Sequence, residues 1–550
     1  MPPPPAADPK RAAPAADKGA TTKPDAFVPG TPAPADPYIW GPSYAQVDKG
    51  TAVFSKGQKG PGVDRLQEDL ANLGYPSGNP RSKFGPNTEV AVAKFQTDHQ
   101  LKPTGVADQK TIQAMQTELN KQGLERDPSF KNLSPAHQQG MREAQAKSPR
   151  DPQLTKDLRD LAGNDRFQNL SSDTASEVLK RVGPDAAART NLTGLATSDG
   201  FGKLNAAHQK KALEALDRAP GDAALANDLR GLTSSGDFRN LSDGAKSQVL
   251  DGMKTHAADP AARGTVSGLA KSPGLGKLAD EDKAALLRVT TSDDQTYGPA
   301  ARAEVDKLIQ DPGWSKRSAD DQAKALKKVL DDQSFLPHAT TAPDGTFSAP
   351  GKRVPYTVSA PTDLGGGVKS YQIEVEGKKF PVKISPAPAG TTQYTPDDVG
   401  KSLASIPKKY RDQIQEVKLE PAVDPENAYM RSSGAGTVYV YPGKPPLAGE
   451  DFMASAMLHE TGHIVSGKAY GDDTNDPRWK AWKDAMQKDG VATSKYGHTV
   501  AGQDKTVDGG APYADDFAET LLLYGRVMGT PEEAKMRALF PERFKVLDSM

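Results

Sequence analysis

The sequence predicts a multidomain, mainly α-helical chain that ends in an α+β domain. Three observations predict it. Composition changes character several times along 550 residues, a length too great for one core. A block of about 37 residues recurs through the middle of the chain. Roughly the last 200 residues combine alternating strand patterns with H-E-T-G-H at 459–463, set in a helical segment.

Bulk properties exclude several classes. Hydrophobic residues make up 36% and mean hydropathy is −0.65, so part of the chain is expected to be solvated or thinly packed. The 70 basic and 71 acidic side chains nearly cancel, which gives no bulk attraction to nucleic acid or anionic lipid, and no nucleic-acid partner is expected. Cysteine is absent, so disulfides and thiolate-bound metal are excluded; any zinc must use His and carboxylate. No apolar run reaches 18 residues, so no membrane span is expected. The N-terminus M-P-P-P-P-A-A-D-P-K-R lacks an apolar core, and export would need a route without a standard signal peptide.

Residues 1–48 are rich in Pro, Ala, Asp, Lys and Thr and are expected to be a disordered, polyproline-like tail. Residues 49–120 predict a small three-helix module. Val63, Leu66, Leu70 and Leu73 recur at helical spacing and Gly74-Tyr75 ends the run; Thr88 caps a second helix with Val90, Val92 and Phe95 apolar; a third, short helix starts near Asp108. The loop Pro76–Lys83 offers no aromatic ring to stack on a sugar.

Residues 121–335 predict an α-helical repeat array of two helices per unit, anchored at Phe130, Phe167, Phe201, Phe238, Leu275 and Trp314. L-S-P-A-H-Q and L-N-A-A-H-Q supply helix caps. His137, His208 and His256 fall at polar positions and are expected on the surface. With no ligand constellation, the array reads as a spacer or interaction scaffold.

In residues 336–550, Y-Q-I-E-V-E-G-K-K-F-P-V-K-I at 371–384 predicts a β-hairpin around Gly377. Thr395 and Pro396 open a helix that Pro407 ends, and 416–421 and 437–442 read as strands. The second of these is expected to be a sheet edge able to pair with an extended substrate.

H-E-T-G-H places His459 and His463 one turn apart on one helix face, where both can hold one zinc ion, with Glu460 beside it as general base. Ala454, Met457, Leu458, Ile464 and Val465 frame them, and Gly462 allows close approach of another element. A third His six residues on is excluded, because Ala469 stands there. The remaining source of a third ligand is A-P-Y-A-D-D-F-A-E-T at 511–520, where Asp515 and Glu519 share a helix face. One can bind metal while the other accepts the N–H of a metal-bound imidazole.

Two resemblances follow from these motifs. G-V-D-R-L-Q-E-D-L-A-N-L-G-Y, F-G-P-N-T-E-V-A-V-A-K-F-Q and L-K-P-T-G-V-A-D-Q-K-T resemble the peptidoglycan-binding domain of the three-helix type, which implies a cell-wall partner. M-L-H-E-T-G-H, S-K-Y-G-H-T and D-D-F-A-E, in that order, resemble the anthrax lethal factor-like metallopeptidase domain, a group that includes Pro-Pro endopeptidases. That resemblance implies a zincin-like fold, one Zn²⁺ per chain, and a protein or peptide substrate. It gives Asp515 the third ligand position, Glu519 the hydrogen bond behind a ligand, and Tyr496 polarisation of the scissile carbonyl. Asp stands where the family has Glu, which keeps Glu519 as an alternative ligand. An insertion after Tyr496 keeps Tyr513 as an alternative tyrosine, and His498 is a further histidine nearby.

The expected function is a zinc endopeptidase held at the cell wall, with a peptidoglycan stem-peptide hydrolase and a non-catalytic wall-binding scaffold as alternatives. The expected location is secreted or cell-envelope, as for a bacterial effector delivered without a standard signal peptide, with the cytoplasm as the alternative.

Overall fold

The computed structural model describes residues 38–78, 81–337, 353–425, 428–443, 450–473, 475–497 and 512–550. Two compact units emerge, Met1–Leu119 and Asn120–Met550. The architecture is mainly helical, with a mixed α/β region at the C-terminal end.

In the first unit, strand β1 (Ile39–Trp40) pairs in parallel with β2 (Gln58–Lys59). The helix Tyr44–Asp48 buries Tyr44 and Val47 in one core with Phe54, Leu66 and Phe95. The tail expected over 1–48 is therefore corrected: from residue 38 the chain is part of the module, and positions 1–37 lie outside the described residues. Tyr44 and Val47 anchor this stretch, while Ile39 and Trp40 stay exposed.

Helix Pro61–Asn72 buries Val63, Leu66 and Leu70 as expected. The second helix begins earlier, at Pro86 after Gly85. Thr88 lies inside it and accepts a hydrogen bond from Gln67 Nε2 at 2.9 Å, rather than capping. Val90 is exposed, while Ala91, Val92 and Phe95 face the core. The third helix is long, Gln109–Glu125.

In the second unit all six repeat anchors are buried. Each sits on a short helical turn of its own, such as Pro128–Lys131, Asp199–Gly202 and Trp314–Lys316. The unit is thus two long helices plus a short anchor turn, not two helices alone. Ser134 and Asn205 cap the helices that follow, accepting from the backbone N–H of His137 and His208. His137, His208 and His256 are buried, which corrects the expected surface placement. His137 Nδ1 lies 2.7 Å from Ser134 Oγ and its ring meets Phe167 of the next block edge-on. His208 Nε2 is 3.1 Å from Asp243 O, and His256 Nε2 is 3.2 Å from an Arg302 guanidinium nitrogen. Each ring therefore sits at a seam between blocks, with a polar partner that makes burial affordable.

The C-terminal sheet contains β3 (Tyr356–Val358), β4 (Thr362–Asp363), β5 (Lys369–Val375), β6 (Lys378–Ile384), β7 (Glu416–Leu419), β8 (Met430–Ser432) and β9 (Thr437–Val440). Their order is β3-β5-β6-β7-β9-β8, with β4 also on β5. The β5–β6 hairpin turns at Glu376-Gly377, both at positive φ (48° and 80°), the pattern of a type I′ turn. Thr395 and Asp398 form a capping box for helix Pro396–Ser405. β9 lies between β7 and β8, so it is not an edge; among the described residues β8, which no sequence pattern announced, takes that place. Helix Glu450–Tyr470 crosses the sheet near β8 and packs on helix Pro512–Val527.

The array packs directly on the C-terminal region. Arg288 donates to Asp489 O at 2.9 Å, and the Tyr297 ring meets Phe540 edge-on. No described helix is long and apolar enough to cross a membrane.

Candidate metal centre

Helix Glu450–Tyr470 positions the motif because one face is held by core packing. Met453, Ala454, Met457, Leu458 and Ile464 are buried, and Val465 packs against them. Gly462 is the contact point with the second helix: a Cβ there would stand 2.6 Å from Ala518 Cα. Only glycine lets the two helices come this close, and the approach carries Asp515 and Glu519, one turn apart, up to the histidines.

His459 Nε2 and His463 Nε2 are 3.1 Å apart. Asp515 Oδ1 lies 3.5 Å from the His463 Nε2 atom and 4.0 Å from that of His459. Around one tetrahedral zinc, ligand atoms stand roughly 3.3 Å apart, given Zn–N and Zn–O distances of about 2.0–2.2 Å. Two of the three separations fall near that spacing and the Asp515–His459 one is longer by about 0.7 Å, while two imidazoles with a carboxylate are an ordinary zinc donor set. Glu460 also brings a carboxylate oxygen within 4.8 Å of both imidazoles. Its Oε2, however, accepts a hydrogen bond from Ser432 Oγ at 2.8 Å, which ties it to β8.

Glu519 is wholly buried and occupies the far side of His459, with Oε1 2.8 Å from Nδ1. An Nδ1–H directed at this carboxylate leaves Nε2 free to act as a ligand. Burial alone would strip the proton from His459. The hydrogen bond and charge of Glu519, together with the charges of Glu460 and Asp515, overcome burial and hold its pKa well above the ordinary value. His463 is driven the other way, by burial and by the charge on His459. Three carboxylates, Glu460, Asp515 and Glu519, thus surround the two imidazoles, an environment that favours a cation.

The tyrosines separate. Tyr496 meets the His459 ring nearly edge-on, with centroids 6.2 Å apart. The Tyr513 ring instead lies under Lys483 Nζ, 4.5 Å away. His498 lies outside the described residues. Behind the site, Asp516 accepts hydrogen bonds from Trp482 Nε1 (3.1 Å) and Arg543 (3.0 and 3.1 Å), which fixes helix Pro512–Val527 against its neighbours.

His463, Glu460 and Asp515 line a cleft of about 420 Å³, together with Arg431, Ser432, Ser433, Asp472 and Trp479 among others. Sequence reasoning missed Ser432 entirely. Its strand has three residues and lies among Ser and Gly, so no alternation marks it.

Residues 59–115 match a family model described as "Putative peptidoglycan binding domain". Within the N-terminal unit these residues form a peptidoglycan-binding-like region. No curated protein and no solved structure matches the chain. The C-terminal region holds a His-Glu-x-x-His cluster with adjacent carboxylates, the arrangement of a zinc-peptidase-like motif and consistent with a zincin-type fold.

Proposed function

We propose that this protein is a zinc-dependent endopeptidase acting on protein or peptide, held at the cell wall by its N-terminal module. The observation that carries this reading is the convergence of His459 Nε2, His463 Nε2 and Asp515 Oδ1, whose separations run from 3.1 to 4.0 Å, with Glu460 beside them. In this reading His459, His463 and Asp515 hold the metal, and Glu519 orients His459 through Nδ1. The order of M-L-H-E-T-G-H, S-K-Y-G-H-T and D-D-F-A-E supports a place near the lethal factor-like peptidases.

Zinc, when bound, supplies Lewis acidity and lowers the pKa of its water toward ~7. Glu460 takes the proton of the attacking water at its carboxylate and returns it to the leaving amine. Ser432 fixes that carboxylate by donating to Oε2. The Tyr496 hydroxyl donates to the developing oxyanion. Arg431 and Ser432 on β8, and Ser433 just after it, line the cleft wall and offer the backbone against which an extended substrate would lie.

The second reading, hydrolysis of peptidoglycan stem peptides, draws support from the match at 59–115. Zinc-replete full-length protein is to be offered a peptide library and, separately, purified peptidoglycan. Zinc-dependent cleavage of library peptides is the expected result. Release of muropeptide fragments without proteolysis would replace the first reading by the second.

A further inference from the structure

The repeat array reaches into the segment that carries Tyr496. Tyr297, fully buried on a repeat helix, donates its hydroxyl to Thr493 O at 2.7 Å. Gln333, at the end of the last repeat helix, accepts from Ala492 N at 2.8 Å and donates to Gly490 O at 3.3 Å. Pro337 O accepts from Lys495 N at 2.8 Å. Two array residues, with Pro337 just beyond the array, thus hold four backbone groups between positions 490 and 495. From the other side, Thr493 Oγ1 lies 3.3 Å from Thr520 Oγ1 on the helix of Asp515 and Glu519. The backbone of Gly497 presses on the same helix, since a Cβ there would stand 3.3 Å from Asp516 Cα. Thr493 and Ser494 are completely buried. The segment has little regular structure of its own, so these bonds supply its register.

We infer that the array is a built-in positioning element of the catalytic site, with Tyr297 and Gln333 holding Tyr496 against His459. This rests on the peptidase reading above for its kinetic consequence, but not for its structural one. A spacer would tolerate loss of these bonds without effect on the site. A positioning element would not: a buried carbonyl at Thr493 left without its donor must find another partner, and the segment moves to find it.

The test uses the full chain with Tyr297→Phe, which keeps the ring against Phe540, and Gln333→Met, which keeps the shape without the polar atoms. Each is expected to lower kcat by about three- to tenfold, the scale of one buried hydrogen bond, with KM and zinc content unchanged. In a Tyr496→Phe background the same changes are expected to cost nothing further, because they act through that hydroxyl. Lys535→Ala, which breaks the 4.0 Å array contact with Asp293 and the 3.2 Å pair with Glu532, both away from the 490–497 segment, is expected to leave kcat unchanged. Amide exchange across 490–497 is expected to accelerate in both variants while the rest of the C-terminal region keeps its protection. Unchanged exchange, or kcat losses that multiply with Tyr496→Phe, would overturn the inference. If wild type hydrolyses no peptide, the peptidase reading fails and amide exchange alone decides this one.

Discussion

Gly462→Ala strikes the contact that assembles the site. The added Cβ would stand 2.6 Å from Ala518 Cα and 2.9 Å from its Cβ, against an ordinary minimum of 3.4 Å. The helices must therefore part by about 0.8 Å, since neither contact atom belongs to a flexible side chain. Overpacking of this kind costs about 1–3 kcal/mol. Asp515 and Glu519 travel with Ala518, whereas a ligand set has to be held within ~0.5 Å. Zinc affinity is expected to drop by about 10–100-fold, the effect of disturbing groups around a metal ligand. Competition against a chromophoric chelator measures the affinity, and thermal melting of the metal-free protein measures the strain. Gly264→Ala is the matched control: it is exposed, helical and has no neighbour within 4 Å of a Cβ, so it should leave zinc affinity intact and stabilise by up to ~1 kcal/mol. Wild-type affinity and melting in Gly462→Ala would refute the argument that this glycine sets the spacing of the site.

Other outcomes follow from the same geometry. Asp515→Ala is expected to abolish stoichiometric zinc binding at micromolar metal, whereas Glu519→Ala should keep one zinc with about 10–100-fold weaker affinity; the reverse ranking, read by metal analysis after dialysis, would exchange their roles. Ser432→Ala should retain full zinc and lose about three- to tenfold in kcat, the scale of one hydrogen bond to a charged group; an unchanged kcat would remove Ser432 from the site. Burial first, and then the charge of Arg302, hold His256 below its ordinary pKa of 6.5. Its contribution to stability is therefore present above pH 6.5 and lost as pH falls below that value. The fall in melting temperature between pH 7.5 and 5.5 should be smaller in His256→Gln, and equal slopes would contradict this.

The parts of the molecule governed by local chemistry were legible in the sequence. Glu376-Gly377 is a turn because the chain needs two positive φ angles there, and Thr395 caps because Asp398 answers it. His459, Glu460 and His463 share a region of one helix through spacing alone. What escaped was set by distant partners. His137, His208 and His256 look like surface residues until the next repeat covers them. Thr88 has the chemistry of a cap, but Gly85-Pro86 starts the helix first. Tyr44 and Val47 are too few to stand out beside a Pro-rich stretch, yet they complete a small core. β8 is recognisable only through its pairing with β9, and with it went both Ser432 and the true sheet edge. The choice between Asp515 and Glu519 could not be read from spacing, because it depends on which face of His459 each carboxylate meets.

The most direct measurement compares zinc-loaded wild type with zinc-loaded Glu460→Ala on the same peptide library. Each is expected to bind one zinc, since Glu460 is assigned the proton and not the metal. Wild type should cut, and the variant should be slower by at least ~100-fold, the lower range for loss of a general base. Equal cleavage by the two proteins, or zinc-loaded wild type that cuts no peptide, would contradict the account.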